Sequence, residues 1–145
     1  MKKIIFLLTI VGLTFSCVTN ASREQIQSLR FTKDLPGKKQ AEIFDKALEW
    51  GIRNFGSGKS VIDIQDKAQG KIVANRSIPT KSIQGGMSAR LEFQTVIYIK
   101  DNSIEVFQEN LSEGIVKHQL TQSGWEDARD DLKFIEIEML KYIQK

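Results

Sequence analysis

Residues 88–108, SARLEFQTVIYIKDNSIEVFQ, decide the fold because they describe one long hairpin. Apolar and polar residues alternate on both sides of Asp101-Asn102, and a period of two is typical of half-buried strands. Ile104 and Val106 continue the apolar side in the second strand. Strands joined by so short a turn pair antiparallel, so the sequence predicts an antiparallel sheet with one buried face. That face receives, from the first strand, Leu91, Phe93, Thr95, Ile97 and Ile99.

The other side of this hairpin is predicted to be open to solvent. Alternation places there Arg90, Glu92, Gln94, Val96, Tyr98 and Lys100, with Glu105 and Phe107 beside them. Aromatic anchors inside a polar rim suit partner binding. We therefore assign an interaction face to Tyr98, Phe107, Val96, Arg90 and Gln94. The plainer alternative is an ordinary exposed sheet face.

More strands are predicted on either side of the hairpin. A first strand is expected around Ile26, Leu29 and Phe31, ended by the breaker Asp34-Leu35-Pro36-Gly37. Residues 60–65 and 71–79 flank a polar turn and predict a second hairpin. A further strand is expected at 115–120.

Two helices complete the pattern, and each has a single apolar stripe. The stripe of residues 38–55 has spacings of three and four through Ala41, Phe44, Leu48, Ile52 and Phe55, widened by Ile43, Ala47 and Trp50. The stripe of residues 124–142 comprises Trp125, Ala128, Leu132, Ile135, Met139 and Tyr142. Thr121 or Ser123 is the expected cap of the second helix. The predicted class is α+β, with an antiparallel sheet of about five or six strands, two helices packed on one face, and the order β-α-β-β-β-β-(β)-α.

Composition supports one folded domain without a basic surface. The chain has 145 residues, of which 41% are hydrophobic and 27% charged, as in soluble globular proteins. Its formal charge is +3, but without Lys2 and Lys3 the balance is 19 basic against 18 acidic residues. Nucleic-acid binding needs a basic excess to meet phosphate, so no nucleic-acid partner is expected.

The first residues have the layout of a secretory signal peptide. A short basic start precedes the apolar, uncharged run Ile4–Phe15, which is much shorter than the roughly 20 residues of a membrane-spanning helix. The run ends in Leu13–Cys17, which resembles a bacterial lipobox: Ser16 is the small residue before a cysteine that becomes lipidated. Thr14 stands where Leu, Val or Ile is more usual.

These features predict a signal peptide at 1–16, a lipidated Cys17 with a tether at 17–25, and one domain at 26–145. The expected location is the cell envelope, with a lipid anchor in the membrane and the domain facing the periplasm, because no acidic cluster follows Cys17. The alternative is cleavage further on, for example after Ala21, which leaves a secreted chain.

Several positions between 44 and 72 resemble an uncharacterised family of bacterial envelope proteins whose fold is like one half of the TATA-binding protein (TBP). The resemblance extends more loosely over residues 38–143. It implies the TBP-like fold, and it implies no activity. The matching positions are Phe44, Ala47, Trp50, Asn54-Phe55, Val61-Ile62, Asp66, Gly70 and Ile72.

Catalytic patterns are weak throughout the sequence. Residues 56–60, GSGKS, look like the end of a phosphate-binding loop, but Arg53 replaces the required glycine and the order is helix into strand. His118 is the sole histidine and Cys17 the sole cysteine, so no disulfide, zinc cluster or nucleophile assembly is expected. We expect no enzyme activity, no cofactor and no metal site.

The predicted function is a non-enzymatic envelope lipoprotein that binds a protein, a peptide or an envelope polymer through the open sheet face. The alternative is a carboxylate-dependent envelope hydrolase or small-ligand protein, using acidic residues among Asp63, Asp66, Glu92 and Glu105. The last helix carries Asp127, Asp130 and Asp131, which we interpret as a solvated face. Trp50 and Trp125 are interpreted as core residues.

Overall fold

The computed structural model describes residues 21–55, 61–80, 89–113 and 121–145. They form α1 (Arg23–Gln27), β1 (Arg30–Asp34), α2 (Gln40–Phe55), β2 (Val61–Asp66), β3 (Lys71–Thr80), β4 (Ala89–Lys100), β5 (Ser103–Glu113) and α3 (Gln122–Gln144). The five strands make one antiparallel sheet in the order β1-β5-β4-β3-β2. The predicted α+β class is confirmed, while the extra strand expected at 115–120 lies outside the described residues.

The β4-β5 hairpin has the predicted alternation. All five residues assigned to its buried side on β4 are at most 3% exposed, and Ile104 and Val106 are fully buried on β5. Asn102 turns the chain with a φ of 63°, a left-handed conformation that asparagine tolerates. β5 runs beyond the predicted end at Gln108, because a bulge opposite Phe93 lets pairing resume at Glu92.

The first strand was predicted too close to the N-terminus. A short helix, α1, occupies part of the expected tether and of the expected first strand, and β1 begins only at Arg30. Ser22 caps α1 by accepting a hydrogen bond from the Gln25 amide, while the Gln25 side chain accepts one from the Ser22 amide at 2.7 Å. This capping box and the three-residue spacing of Ile26 and Leu29 favour a helical turn over a strand.

Helix α2 presents a slightly different face to the core than its stripe predicted. The buried residues are Ile43, Phe44, Ala47, Trp50, Gly51 and Phe55, while Ile52 is 57% exposed and Ala41 is exposed. The two candidate stripes are adjacent on the helix, and only docking selects between them. Trp50 is in the core as predicted, with its ring 5.2 Å from that of Phe55 in an edge contact.

Helix α3 begins at Thr121, whose hydroxyl accepts a hydrogen bond from the Gly124 amide at 3.1 Å. Its buried residues join those of α2 and of one sheet face in a single hydrophobic core. Trp125, predicted as core, is half-buried at the edge of that core, and its indole donates a hydrogen bond to the Gln25 carbonyl. Both long helices thus lie on one face of the sheet, and none of the described helices covers the opposite face.

The β2-β3 turn explains two of the residues that suggested the family. Asp66 accepts a hydrogen bond from the Gln69 amide at 2.9 Å, which shapes the turn. Gly70 has a φ of +64°, and a Cβ there would lie 2.1 Å from the Ile99 carbonyl oxygen. The Ile99 amide also donates to the Gly70 carbonyl at 2.7 Å. Only glycine fits this close contact between the turn and β4.

Candidate functional site

The uncovered side of the sheet is called here the open face. One row of paired residues crosses all five strands there, namely Ile64, Val73, Val96, Phe107 and Arg30. Val73 and Val96 are only 4% and 2% exposed although no described helix covers them. Val96 therefore lies on the predicted face as an apolar floor with almost no exposed surface, and its role as a contact residue stays a prediction.

Tyr98 and Phe107 form an ordered aromatic pair on this floor. Their ring centroids lie 6.0 Å apart with an interplanar angle of 25°, a stacked arrangement. The Arg30 guanidinium lies 5.5 Å from the Phe107 centroid, and the Lys71 ammonium lies 5.3 Å from that of Tyr98. Both rings are half-buried, so they are held in place while part of each remains accessible. The structure thus brings together the two aromatic residues that the sequence assigned to the interaction face.

Beside the floor, three amide side chains form a ladder across β3, β4 and β5. The Gln94 amide donates to Asn75 Oδ1 at 2.9 Å, and the Asn110 amide donates to Gln94 Oε1 at 2.8 Å. Asn110 occupies the β5 bulge with a left-handed φ of 55°. Sequence analysis found Gln94 but missed its partners, because a cross-strand ladder depends on register.

The ladder borders a shallow depression of about 500 Å³, which we call the amide pocket. Arg90, assigned to the interaction face, is anchored at its edge by hydrogen bonds to the Ser77 hydroxyl at 2.7 Å and the Ser77 carbonyl at 2.8 Å. The lining residues are Asn75, Arg76, Ser77, Glu92, Phe93, Gln94, Asn110 and Ser112.

The covered face contains a buried ion pair that the sequence analysis missed. Arg76 on β3 donates two hydrogen bonds to Asp131 on α3, one of them at 3.0 Å, and Gln108 donates a third to the same carboxylate at 3.0 Å. The two charged side chains are only 8% and 12% exposed. Asp131 was predicted on a solvated face, which is wrong. Asp130, whose side chain is 73% exposed, is solvated as predicted.

The electrostatics of this ion pair combine two opposing effects. Burial raises the pKa of the Asp131 carboxyl more than Arg76 and Gln108 lower it. The Arg76 guanidinium also lies 4.4 Å from the Phe55 ring centroid, which stabilises the buried cation. Strand parity indicated this inward position, because Arg76 shares its side of β3 with Ile72 and Ala74. The pair is closed under α3 and offers no route for a substrate.

The four carboxylates of the hydrolase alternative are not assembled into one site. Asp66 and Glu105 belong to one cross-strand row but are three strand spacings apart, roughly 14 Å. Glu92 is the single carboxylate among the described residues that line the amide pocket. Asp63 is exposed on the edge strand β2. The geometry therefore does not favour carboxylate-dependent hydrolysis.

Neither a metal site nor a membrane-spanning helix is found among the described residues. No group of three histidine, cysteine or acidic residues suited to a metal ion occurs within the described ranges. None of the described helices has the length and apolarity to cross a membrane. The predicted signal peptide, Cys17, residues 56–60 and His118 lie outside the described residues.

The fold defines a class: a small α+β protein whose antiparallel sheet has its described long helices packed on one side. The family described as "Domain of unknown function (DUF4468) with TBP-like fold" matches residues 31–113, more than half of the chain. The chain belongs to this family, so the resemblance drawn from the sequence is confirmed for the family and its fold.

Two solved structures agree with this assignment. A TBP-like protein from Parabacteroides distasonis superposes with a TM-score of 0.62 at 10% identity, covering 80% of this chain and 91% of that one. A DUF4468 family protein from Bacteroides ovatus has a TM-score of 0.61 at 14% identity, with coverage of 87% and 91%. At such identities the likeness concerns the fold alone. The comparison with curated proteins gives no significant match.

Proposed function

We propose that the chain is an exported, non-enzymatic envelope lipoprotein, anchored through Cys17, whose open face binds another component of the cell envelope. The observation that carries the binding role is the ordered aromatic pair, Tyr98 and Phe107, on a sheet face that no described helix covers. The export signal and the residues Ser16-Cys17 support the location.

The anchor and the open face have separate roles in this proposal. Each buried methylene of an attached acyl chain contributes about 0.8 kcal/mol, so two or more chains on Cys17 hold the protein at a membrane. The domain then needs no lipid contact of its own. On the open face, Arg30 and Lys71 are balanced by Asp66 and Glu105, which gives no reason to expect nucleic acid.

Anchoring is tested by metabolic labelling with palmitate in the native host. The wild-type chain is expected to incorporate label and to fractionate with membranes, whereas Cys17→Ala should incorporate none. Recovery of the unlabelled wild-type chain from the medium would instead support simple secretion. Recovery of the intact chain, Met1 included, from the cytoplasm would overturn the envelope role.

The binding face is tested by proximity labelling in the native envelope with matched double variants. Tyr98→Ala with Phe107→Ala removes the aromatic pair, whereas Phe134→Ala with Ile137→Ala removes exposed apolar residues from α3, which are 50% and 53% exposed. We expect the first double variant to lose the labelled neighbours and the second to keep them. The reverse result would assign binding to the helical side and contradict the proposal.

A further inference from the structure

We infer that the amide pocket binds a neutral sugar residue of an envelope glycan. The inference rests on the proposed function and deepens it, because it names the ligand class of the open face. The observation that carries it is the hydrogen-bonded ladder of Asn75, Gln94 and Asn110 at the border of a depression.

Among the described residues, the ladder leaves both hydrogen-bond donors and hydrogen-bond acceptors without a partner. An amide side chain has two N–H donors and a carbonyl acceptor, and the ladder engages only part of this capacity. Within the described part of the chain, the Asn75 Nδ2 donors and the Asn110 Oδ1 acceptor have no partner. A sugar hydroxyl donates and accepts at once, so a row of such groups matches a ring that carries several hydroxyls.

The charge of the pocket favours an uncharged ligand. Glu92 is an exposed carboxylate in the lining, and Arg90 at the edge carries the opposite charge. The charge of Arg76 is already compensated by Asp131 on the covered face. A phosphate-rich or acidic polymer would therefore meet no net positive charge from the described lining residues, whereas the Glu92 carboxylate accepts hydrogen bonds from neutral hydroxyls.

The position of the pocket favours a glycan over a peptide. Extended peptides add to the edge of a sheet, whereas the middle member of the ladder, Gln94, lies on β4 at the centre of the strand order. Among the described lining residues, those with side chains on the open face are polar. Phe107 lies one cross-strand row away from the ladder, about 7 Å along the strand, where a neighbouring sugar ring can stack on it.

The test uses the chain in the form its host produces, labelled with ¹⁵N and titrated with soluble tetrasaccharides of glucose and of N-acetylglucosamine. Tetra-alanine serves as the peptide probe. We expect at least one tetrasaccharide to shift the side-chain amide signals of Asn75, Gln94 and Asn110, and tetra-alanine to leave them unchanged. Gln94→Leu should weaken sugar binding at least tenfold, whereas Gln144→Leu, at the exposed end of α3, should bind as the wild type does.

A second variant guards against loss of folding. Asn110→Gly removes the amide but keeps a residue that adopts the left-handed conformation, so it should fold and still lose at least tenfold in affinity. The inference is overturned if no tetrasaccharide shifts the ladder signals, if Gln94→Leu and Asn110→Gly bind sugar normally, or if tetra-alanine alone shifts them. Loss of proximity labels in the Tyr98 and Phe107 double variant, without any sugar binding, would leave the proposed function standing and remove the glycan.

Discussion

The two faces of the sheet differ although they alternate along the same strands. On β4, Phe93, Ile97 and Ile99 lie against the helices and are at most 3% exposed, whereas Gln94 and Tyr98 between them are half-buried on the open face. Buried apolar area is the main source of folding free energy. Neighbouring residues thus have separate roles: one set stabilises the domain, and the other is available for contact.

The polar groups of the two faces show the same difference. Under α3, Arg76 and Gln108 donate three hydrogen bonds to the Asp131 carboxylate, and both charged side chains are largely buried. On the open face, the ladder through Gln94 keeps hydrogen-bonding capacity at the surface. Closed polar networks are sensitive to loss of one partner, whereas surface groups are not. Substitutions should therefore separate stability from binding.

The largest expected effect is that of Arg76→Met on the covered face. The variant leaves the Asp131 carboxylate buried without its cation, and removing one partner of a buried pair typically costs about 3–5 kcal/mol. We expect a loss of this size in the free energy of unfolding at neutral pH. Urea denaturation followed by circular dichroism measures it.

The loss should depend on pH, because Arg76 lowers the pKa of Asp131 against the effect of burial. Without Arg76 that pKa rises further above its ordinary value of 3.8. A raised carboxyl pKa contributes stability that is present below 3.8 and is lost as the pH rises through the folded-state pKa. The free energy of unfolding of the variant should therefore be close to that of the wild type in acid and should fall furthest below it at neutral pH. Combining it with Asp131→Leu should restore most of the stability, and a double variant as unstable as the single one would contradict this account.

The second comparison uses adjacent residues of β4. Ile97 is fully buried on the covered face, so Ile97→Ala should cost about 2–5 kcal/mol of unfolding free energy. Tyr98→Ala removes a stacked partner on the open face and should cost only about 0.5–1.5 kcal/mol. Thermal and urea unfolding of the two variants measure the two losses of unfolding free energy, and their ratio compares the two faces. Equal losses would show that the open face is a second core.

A third comparison, with an expected loss smaller than that of Ile97→Ala, tests the boundary between the two faces. Val96 is 2% exposed without a covering helix, so Val96→Ala removes two methyl groups, worth about 1–2 kcal/mol in all at about 0.8 each. We expect a loss of unfolding free energy that is smaller than that of Ile97→Ala and larger than that of a substitution at a fully exposed position. We also expect the environment of the Tyr98 and Phe107 rings to change. Ring chemical shifts measured by NMR report the second change. Unchanged shifts would mean that Val96 does not support the aromatic pair.

Much of this arrangement was predictable where it depends on local periodicity. Alternation in residues 88–108 identified both faces of β4 and placed Tyr98 and Phe107 on the open one. The stripe of α2 was less informative, because Ile52 and its neighbours at helical spacing form a second apolar row beside the one that docks. Around Ile26, a local capping box produced a helical turn where a strand was expected.

The amide ladder and the buried ion pair were not predictable, since both join residues far apart in sequence. Asn75, Gln94 and Asn110 meet only because β3, β4 and β5 pair in one register with a bulge at Asn110. Arg76 and Asp131 meet only because α3 docks with Asp131 turned inward. No pattern within a single strand or helix contains that information.

The sequence by itself determined the class of fold and the division of β4 into an apolar and a polar side, because both follow from residue spacing within the elements, and the resemblance over residues 44–72 indicated the family. Tertiary structure decided which stripe of α2 faces the core, that Val96 is buried, and that polar groups from three strands border one depression. These features depend on strand register and helix docking, and their energies come from contacts between elements that local sequence does not encode.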